Sequence, residues 1–234
     1  MPSVPDDAPN RPATSPVTSY AALAARLLAL PPSCGPSRLV AVDGPSGAGK
    51  STFADRLAEV LVGAGGAPGG AGGRPPSEGT VGAPVVRSDD FRVPWDADPL
   101  TWWEPLRRAV LDPVGAGRPG ALRRYDWRRG AYGPAEEVPA APVLLVEGVG
   151  AAWAGSPAAF RIWIDAPLDL RRARAADRDG AEYADAWDRW SARETAFFAA
   201  DGTRARADLH VDGARLGRDR FRTTPVRDGP GSGR

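Results

Sequence analysis

The residues from Gly44 to Ser51, GPSGAGKS, fit the pattern Gly-x-x-x-x-Gly-Lys-Ser and constrain the chain more than any other stretch. Leu39 to Val42 before them is a short apolar, partly β-branched run suited to a buried strand. After them Phe53, Leu57, Val60 and Leu61 recur at helical spacing. The order strand, glycine loop, helix has a physical reason. Glycines let successive backbone N–H groups turn inward around a phosphate chain, and the helix aims its positive end at the same point. Gly44, Ser46, Gly47, Ala48, Gly49, Lys50, Ser51 and Thr52 are therefore the candidate phosphate contacts. Lys50 is placed to reach the β- and γ-phosphates, Ser51 to ligate Mg²⁺ through its hydroxyl, and Thr52 to add a donor. Lys50 is also the only lysine in a chain with 30 basic residues. A compact ammonium that slips between phosphates is not interchangeable with a planar guanidinium.

A chain of 234 residues suits one α/β domain with a sizeable core. The formal net charge of +1 creates no overall field toward nucleic acid or membrane. Cys34 stands alone, which excludes an internal disulfide framework, fits a reducing cytoplasm and reads as a bystander thiol near the surface. No apolar run approaches membrane-spanning length, and the first residues lack the basic start and hydrophobic stretch of a secretory leader. A cytoplasmic protein is the expectation.

Residues 1–17, rich in Pro, Ser, Asp and Ala, are expected to be disordered, with the folded domain spanning 18–221 and a second tail at 222–234. Leu23, Leu27 and Leu30 mark an amphipathic helix from Ser19 to Leu30, with Ser19 as N-cap and Pro31–Pro32 as its stop. Residues 63–82 carry too few apolar side chains to offset their ordering entropy and read as a flexible surface loop. Strands are expected at Pro84–Arg87, Val143–Val146, Arg161–Ile164 and Leu209–Val211, and helices at Thr101–Leu111, Pro167–Asp179 and Glu182–Ala200. Strands alternating with helices predict a doubly wound parallel sheet.

Several acids fall at strand ends, where ligands of such sheets bind. Asp89 and Asp90 follow the second core strand, with Asp89 the candidate general base and Asp90 a supporting or capping group. Glu147 follows Leu144–Val146 and is placed to hold Mg²⁺ through water, with Asp89 and Ser51 as the other candidate metal contacts. Arg171, Arg174 and Arg178 lie at i, i+3 and i+7, a guanidinium face that can either stay solvated or close as a lid over transferring phosphates. Trp95, Trp102, Trp103, Tyr125 and Trp127 are candidates for stacking on a flat substrate. Tyr125 and Trp127, among Arg123, Arg124, Arg128 and Arg129, are the hardest of these to bury, and Arg124 joins them as a candidate acceptor contact. His210 reads as structural. A guanine-type switch is excluded, since its Asn-Lys-x-Asp signature needs a second lysine. A regulatory ATPase remains the alternative to a kinase.

Taken together, GPSGAGKST, Asp89–Phe91, Tyr125–Trp127, LLVEG at Leu144–Gly148 and the arginines from Arg171 to Arg178 resemble the uridine kinase branch of the P-loop kinases. The likeness runs from about Leu39 to Val211. It implies a five-stranded parallel sheet with a helical lid, and MgATP-dependent phosphorylation of a small-molecule hydroxyl. It also implies Asp89 as base, Glu147 near Mg²⁺, and Tyr125 and Trp127 at the acceptor. Uridine kinases carry a histidine shortly after the aromatic motif, where this chain has Arg128-Arg129-Gly130. The resemblance therefore carries phosphoryl transfer but not uridine as the acceptor; a nucleoside monophosphate or another hydroxylated metabolite suits those arginines.

Overall fold

In the computed structural model, residues 16–64 and 83–225 are described. Of the tail expected over 1–17, the loop expected over 63–82 and the tail expected over 222–234, residues 1–15, 65–82 and 226–234 lie outside them, while 63–64 continue α2 and 222–223 belong to β9. The elements run β1 (Val17–Ser19), α1 (Tyr20–Leu28), β2 (Arg38–Asp43), α2 (Lys50–Ala64), β3 (Val85–Arg87) and a 3₁₀ turn at Ser88–Asp90. Then come α3 (Trp103–Leu106), a π-helical turn (Arg107–Leu111), α4 (Asp112–Gly115), β4 (Gly120–Asp126), β5 (Ala131–Val138), β6 (Val143–Glu147) and β7 (Phe160–Asp165). The chain ends with α5 (Leu168–Asp179), a 3₁₀ turn (Ala181–Tyr183), α6 (Ala184–Asp201), β8 (Leu209–Leu216) and β9 (Arg220–Thr223).

One sheet has seven strands in the order β1-β9-β8-β7-β2-β6-β3, and β4 and β5 form a separate hairpin. The run from β8 to β3 is parallel throughout, as expected, while β9 and β1 add two antiparallel strands at one edge. The expected five strands are thus the parallel part of a larger sheet. The extra pair went unread because each strand is so short, VTS and RFRT, that no period-2 pattern develops. They place Val17 and Arg222–Thr223, outside the expected domain of 18–221, within the sheet. β2 is central and buried from Leu39 to Asp43, which is why it reads as a continuous apolar run rather than an alternation. The chain passes from β2 outward to β3, returns to β6 on one side, then crosses to β7 on the other. The loop after β2 therefore lies at the topological switch point, facing the carboxyl ends of β3, β6 and β7.

Each face of the sheet carries its own core. On one, Tyr20, Phe53 and Phe221 meet with ring centroids 5.0–5.1 Å apart, joined by Leu23, Leu27 and Leu57. On the other, Phe91, Trp102, Trp103, Leu106 and Val110 pack over Leu39, Leu144 and Val146. Trp102 and Trp103, candidates for stacking on a ligand, are core residues, and Trp102 Nε1 donates to Val149 O at 3.0 Å. Cys34, expected near the surface, is buried and donates its S–H to Leu111 O at 3.4 Å. Local rules held at helix ends: Ser19 Oγ accepts the Ala22 N–H at 3.1 Å, and α5 runs from Pro167 at its N-cap to Gly180, at φ +104°.

Candidate active site

Asp43 ends β2 wholly buried, and it organises the loop that follows. Its Oδ1 accepts N–H groups from Gly44 (2.7 Å) and Gly150 (3.1 Å), and its Oδ2 from Ala152 (2.8 Å). Gly44 then takes φ +138°, and a Cβ there would lie 2.0 Å from Ile164 O. No other residue fits. Three cations hold the loop's carbonyls: Lys50 Nζ bonds Pro45 O at 3.2 Å, Arg171 Nη1 bonds Ser46 O at 3.4 Å, and Arg174 Nη1 bonds Gly47 O at 3.0 Å. The helical ladder begins with Phe53 N–H on Gly49 O (3.0 Å), so the N–H groups of Lys50, Ser51 and Thr52 precede it with no carbonyl to bond inside the helix. With carbonyls turned to cations and these three N–H groups left over by the helix, the end of the loop is built to take an anion.

Glu147, at the end of β6, is buried and accepts Ser51 Oγ–H at 3.2 Å, with Arg87 Nε 3.6 Å away. Burial pushes its carboxyl up to about 7, with Asp89 raising it further and Lys50 and Arg87 opposing. A hydroxyl beside a buried carboxylate, with the Asp89 charge acting on it, suits a hard divalent cation. Among the described residues no three His, Cys, Asp or Glu side chains gather as a metal cage. Phosphate oxygens and water would complete the shell, which is the usual habit of Mg²⁺.

Burial likewise pushes Asp43 up to about 7, against its three N–H bonds and Lys50. Both acids hold protons in the fold that they release on unfolding, so their contribution to ligand-free stability falls as pH rises from about 4 to about 7 and is level above that. The melting midpoint of the parent should therefore drop relative to Asp43→Asn between pH 5 and 7. Parallel profiles would remove Asp43 from the account.

On the acceptor side, Asp90 is buried, and its Oδ2 accepts Arg87 N–H (2.7 Å) and Arg124 Nη1 (2.6 Å). Arg124 also bonds Glu136 at 3.0 Å. Asp90 and Arg124, both candidate substrate contacts, instead satisfy each other and dock the hairpin onto β3. Asp89 points differently: it is exposed, and its carbonyl accepts Trp127 Nε1 at 2.9 Å. Tyr125 stands edge-on to Trp127 and Tyr132, at 4.9 and 5.1 Å between centroids, and Tyr132 OH accepts the Arg92 N–H at 3.3 Å. The hairpin tip thus lays a half-exposed aromatic cluster beside the Asp89 turn. Trp95 is half-buried against Trp190.

The α5 arginines divide rather than acting together. Arg171 is buried and, with Arg174, is spent on loop carbonyls, so neither forms a free lid. Arg174 also bonds Gly213 O at 3.1 Å. Arg178 is paired with Asp179 at 2.7 Å, and its pKa is raised by that carboxylate first, with Asp89 and Glu147 adding to it. Beyond the loop, Gly49, Thr52, Arg56, Arg174, Gly213 and Leu216 line an open cleft of about 260 Å³.

Two site residues escaped sequence reasoning, Asp43 and Glu194. Glu194 is wholly buried on α6 and bonded to Ser46. Its trace in the sequence was positional, since Trp187, Trp190, Glu194 and Phe198 share one buried helical stripe. An acid on such a stripe needs a partner.

No protein-family model matches the sequence, and no curated protein matches it significantly. Solved structures do. A provisionally described uridine kinase from Bacillus stearothermophilus superposes with a TM-score of 0.55, covering 82% of this chain and 96% of its own, at 18% identity. The fold is that of the P-loop kinases. A provisionally described fructose transport system kinase from Silicibacter sp. TM1040 superposes with a TM-score of 0.50 over 76% of this chain and 95% of its own, at 21% identity. At these identities it is the P-loop kinase fold that is shared. Among the described residues no helix is long and apolar enough to cross a membrane.

Proposed function

We propose that the protein is a MgATP-dependent small-molecule kinase that transfers the γ-phosphate to a hydroxyl of a nucleoside-like metabolite. The observation that carries this reading is the Ser51–Glu147 contact beside a loop whose last N–H groups, on Lys50, Ser51 and Thr52, have no partner in the helix, with the Asp89 charge acting on Glu147. In this reading Gly47, Gly49, Lys50, Ser51 and Thr52 hold the triphosphate, with Lys50 between its β- and γ-phosphates, while the N–H groups of Gly44, Ser46 and Ala48, expected from the sequence to join them, are engaged by Asp43, Glu194 and Pro45 O. The cleft beyond Gly49 receives the nucleoside end of the donor. Ser51 and Glu147 would hold Mg²⁺, with Asp89 nearby, and the ion when bound would supply positive charge to offset that of the phosphates.

Asp89 takes the proton of the acceptor hydroxyl as that oxygen bonds to the γ-phosphorus. The bond to the β,γ-bridging oxygen breaks, and ADP leaves with its electron pair. Arg178 faces the same space and offsets the charge developing there. Tyr125 and Trp127 offer the acceptor an aromatic wall. Arg128 and Arg129 project exposed side chains from the hairpin tip while their N–H groups bond Asp126. They favour an acceptor bearing an anionic group, such as a nucleoside monophosphate.

The test is ADP release from MgATP across nucleosides, nucleotides, vitamins and sugars, each phosphorylated metabolite paired with its unphosphorylated form. ADP should appear only with an added metabolite, and fastest with an anionic one. Slow release that no metabolite alters would instead indicate a nucleotide-dependent regulatory ATPase.

A further inference from the structure

Glu194 takes no part in the transfer just described, yet it is bonded to the middle of the phosphate loop. Its two oxygens each lie 3.0 Å from the Ser46 N–H, and Oε2 also accepts Ser46 Oγ–H at 2.8 Å. One turn earlier on α6, Trp190 Nε1 donates to the same Ser46 Oγ at 2.9 Å. Arg171, whose Nη1 reaches Ser46 O, lies 3.4 Å from Glu194 Oε1 and so closes the ring of contacts. Every polar group of Ser46 is thereby tied to α5 or α6.

The loop needs such a hold from outside. Gly44, Gly47 and Gly49 supply the positive φ angles that turn N–H groups inward, but glycine adds no side chain to fix those turns and leaves the backbone its widest freedom. Gly47 follows Ser46 at φ +78°, packed so closely on Arg171 that a Cβ would lie 2.5 Å from Arg171 O. Drawing the Ser46 N–H toward α6 sets where that turn begins, and with it the direction of the N–H groups that follow. Lys50 lowers the cost of the buried carboxylate by its charge. Because Glu194 has no exposed surface, it can act on a ligand only through the loop.

We infer that Glu194 is a positioning residue for the phosphate loop, presetting through Ser46 the N–H groups that receive the nucleotide's phosphates. This rests on the nucleotide reading above. The test compares full-length Glu194→Gln, Glu194→Ala and Ser46→Ala with the parent, using MgATP alone for binding and an acceptor from the release screen for kinetics. Glu194→Ala should raise the Kd and KM for ATP about tenfold, with kcat at saturating ATP within about threefold. Glu194→Gln keeps the size and one accepting oxygen and should lose only about threefold in affinity, a partial rescue. Ser46→Ala keeps the N–H and should fall between them.

Should Glu194→Ala fail to fold, the Gln and Ser46 variants decide alone. Parent-like ATP affinity in folded Gln and Ser46 variants would overturn the inference and leave Glu194 a buried structural acid. Equal rises in the KM of ATP and of acceptor would overturn it too, as general loosening. If instead the parent and Lys50→Ala both fail to bind MgATP, the nucleotide reading itself falls and takes this inference with it.

Discussion

Asp89→Asn is expected to slow phosphoryl transfer by about 10²–10⁴-fold while ATP affinity stays within a factor of about two. Asparagine matches the shape but cannot take a proton. The site tolerates the change, because Asp89 is exposed and, among the described residues, its side chain accepts only a long 3.4 Å bond from Ser88 Oγ. Trp127 bonds the backbone carbonyl of Asp89, so the hairpin tip keeps its anchor. Loss of the charge also relieves Glu147, whose carboxyl Asp89 helps to push up, and this offsets the lost attraction of Asp89 itself for Mg²⁺. Single-turnover transfer and ATP binding measured on one preparation separate these effects. A Mg²⁺ titration separates base from ligand: a base leaves the metal requirement of the variant unchanged, whereas a metal ligand raises it. Transfer at the parent rate would exclude Asp89 as the base.

The parts of this molecule legible in the sequence are those where one local rule decides the outcome. The loop was readable because glycines are required where φ turns positive, and β2 because a strand covered on both faces is apolar throughout. Ser19 and Gly180 announced helix ends through capping chemistry alone. What stayed hidden depends on partners distant in the chain. Asp90 reads as a site residue from its place after β3, but Arg124, in the hairpin, occupies its carboxylate. Arg171 looked like a lid residue until Glu194 and Ser46 closed around it. An arginine on a helix face carries no local mark of whether it meets phosphate, carbonyl or carboxylate, since its fork suits all three. Helical spacing correctly grouped Arg171, Arg174 and Arg178; tertiary packing then divided them between loop and acids.

Lys50→Ala should bring turnover down by at least about 10³-fold, beyond what loss of a single neutral donor produces in preorganised sites. The ammonium is buried, and its charge acts on three buried acids, Asp43, Glu147 and Glu194. Removing it takes away the cation that would meet the β- and γ-phosphates and that offsets the charge of those acids in the space an anion must enter. ATP affinity should therefore fall together with kcat, unlike in Asp89→Asn, where only transfer is lost. Lys50→Arg tests shape against charge. It preserves the cation, but a planar fork on a longer stem cannot both bond Pro45 O and slip between phosphates. It should therefore keep the melting midpoint closer to the parent than Lys50→Ala does while remaining nearly inactive. If Lys50→Arg turned over like the parent, charge alone would suffice and the geometric argument for a lysine here would fail. If Lys50→Ala did so, the loop would not be where phosphate is transferred.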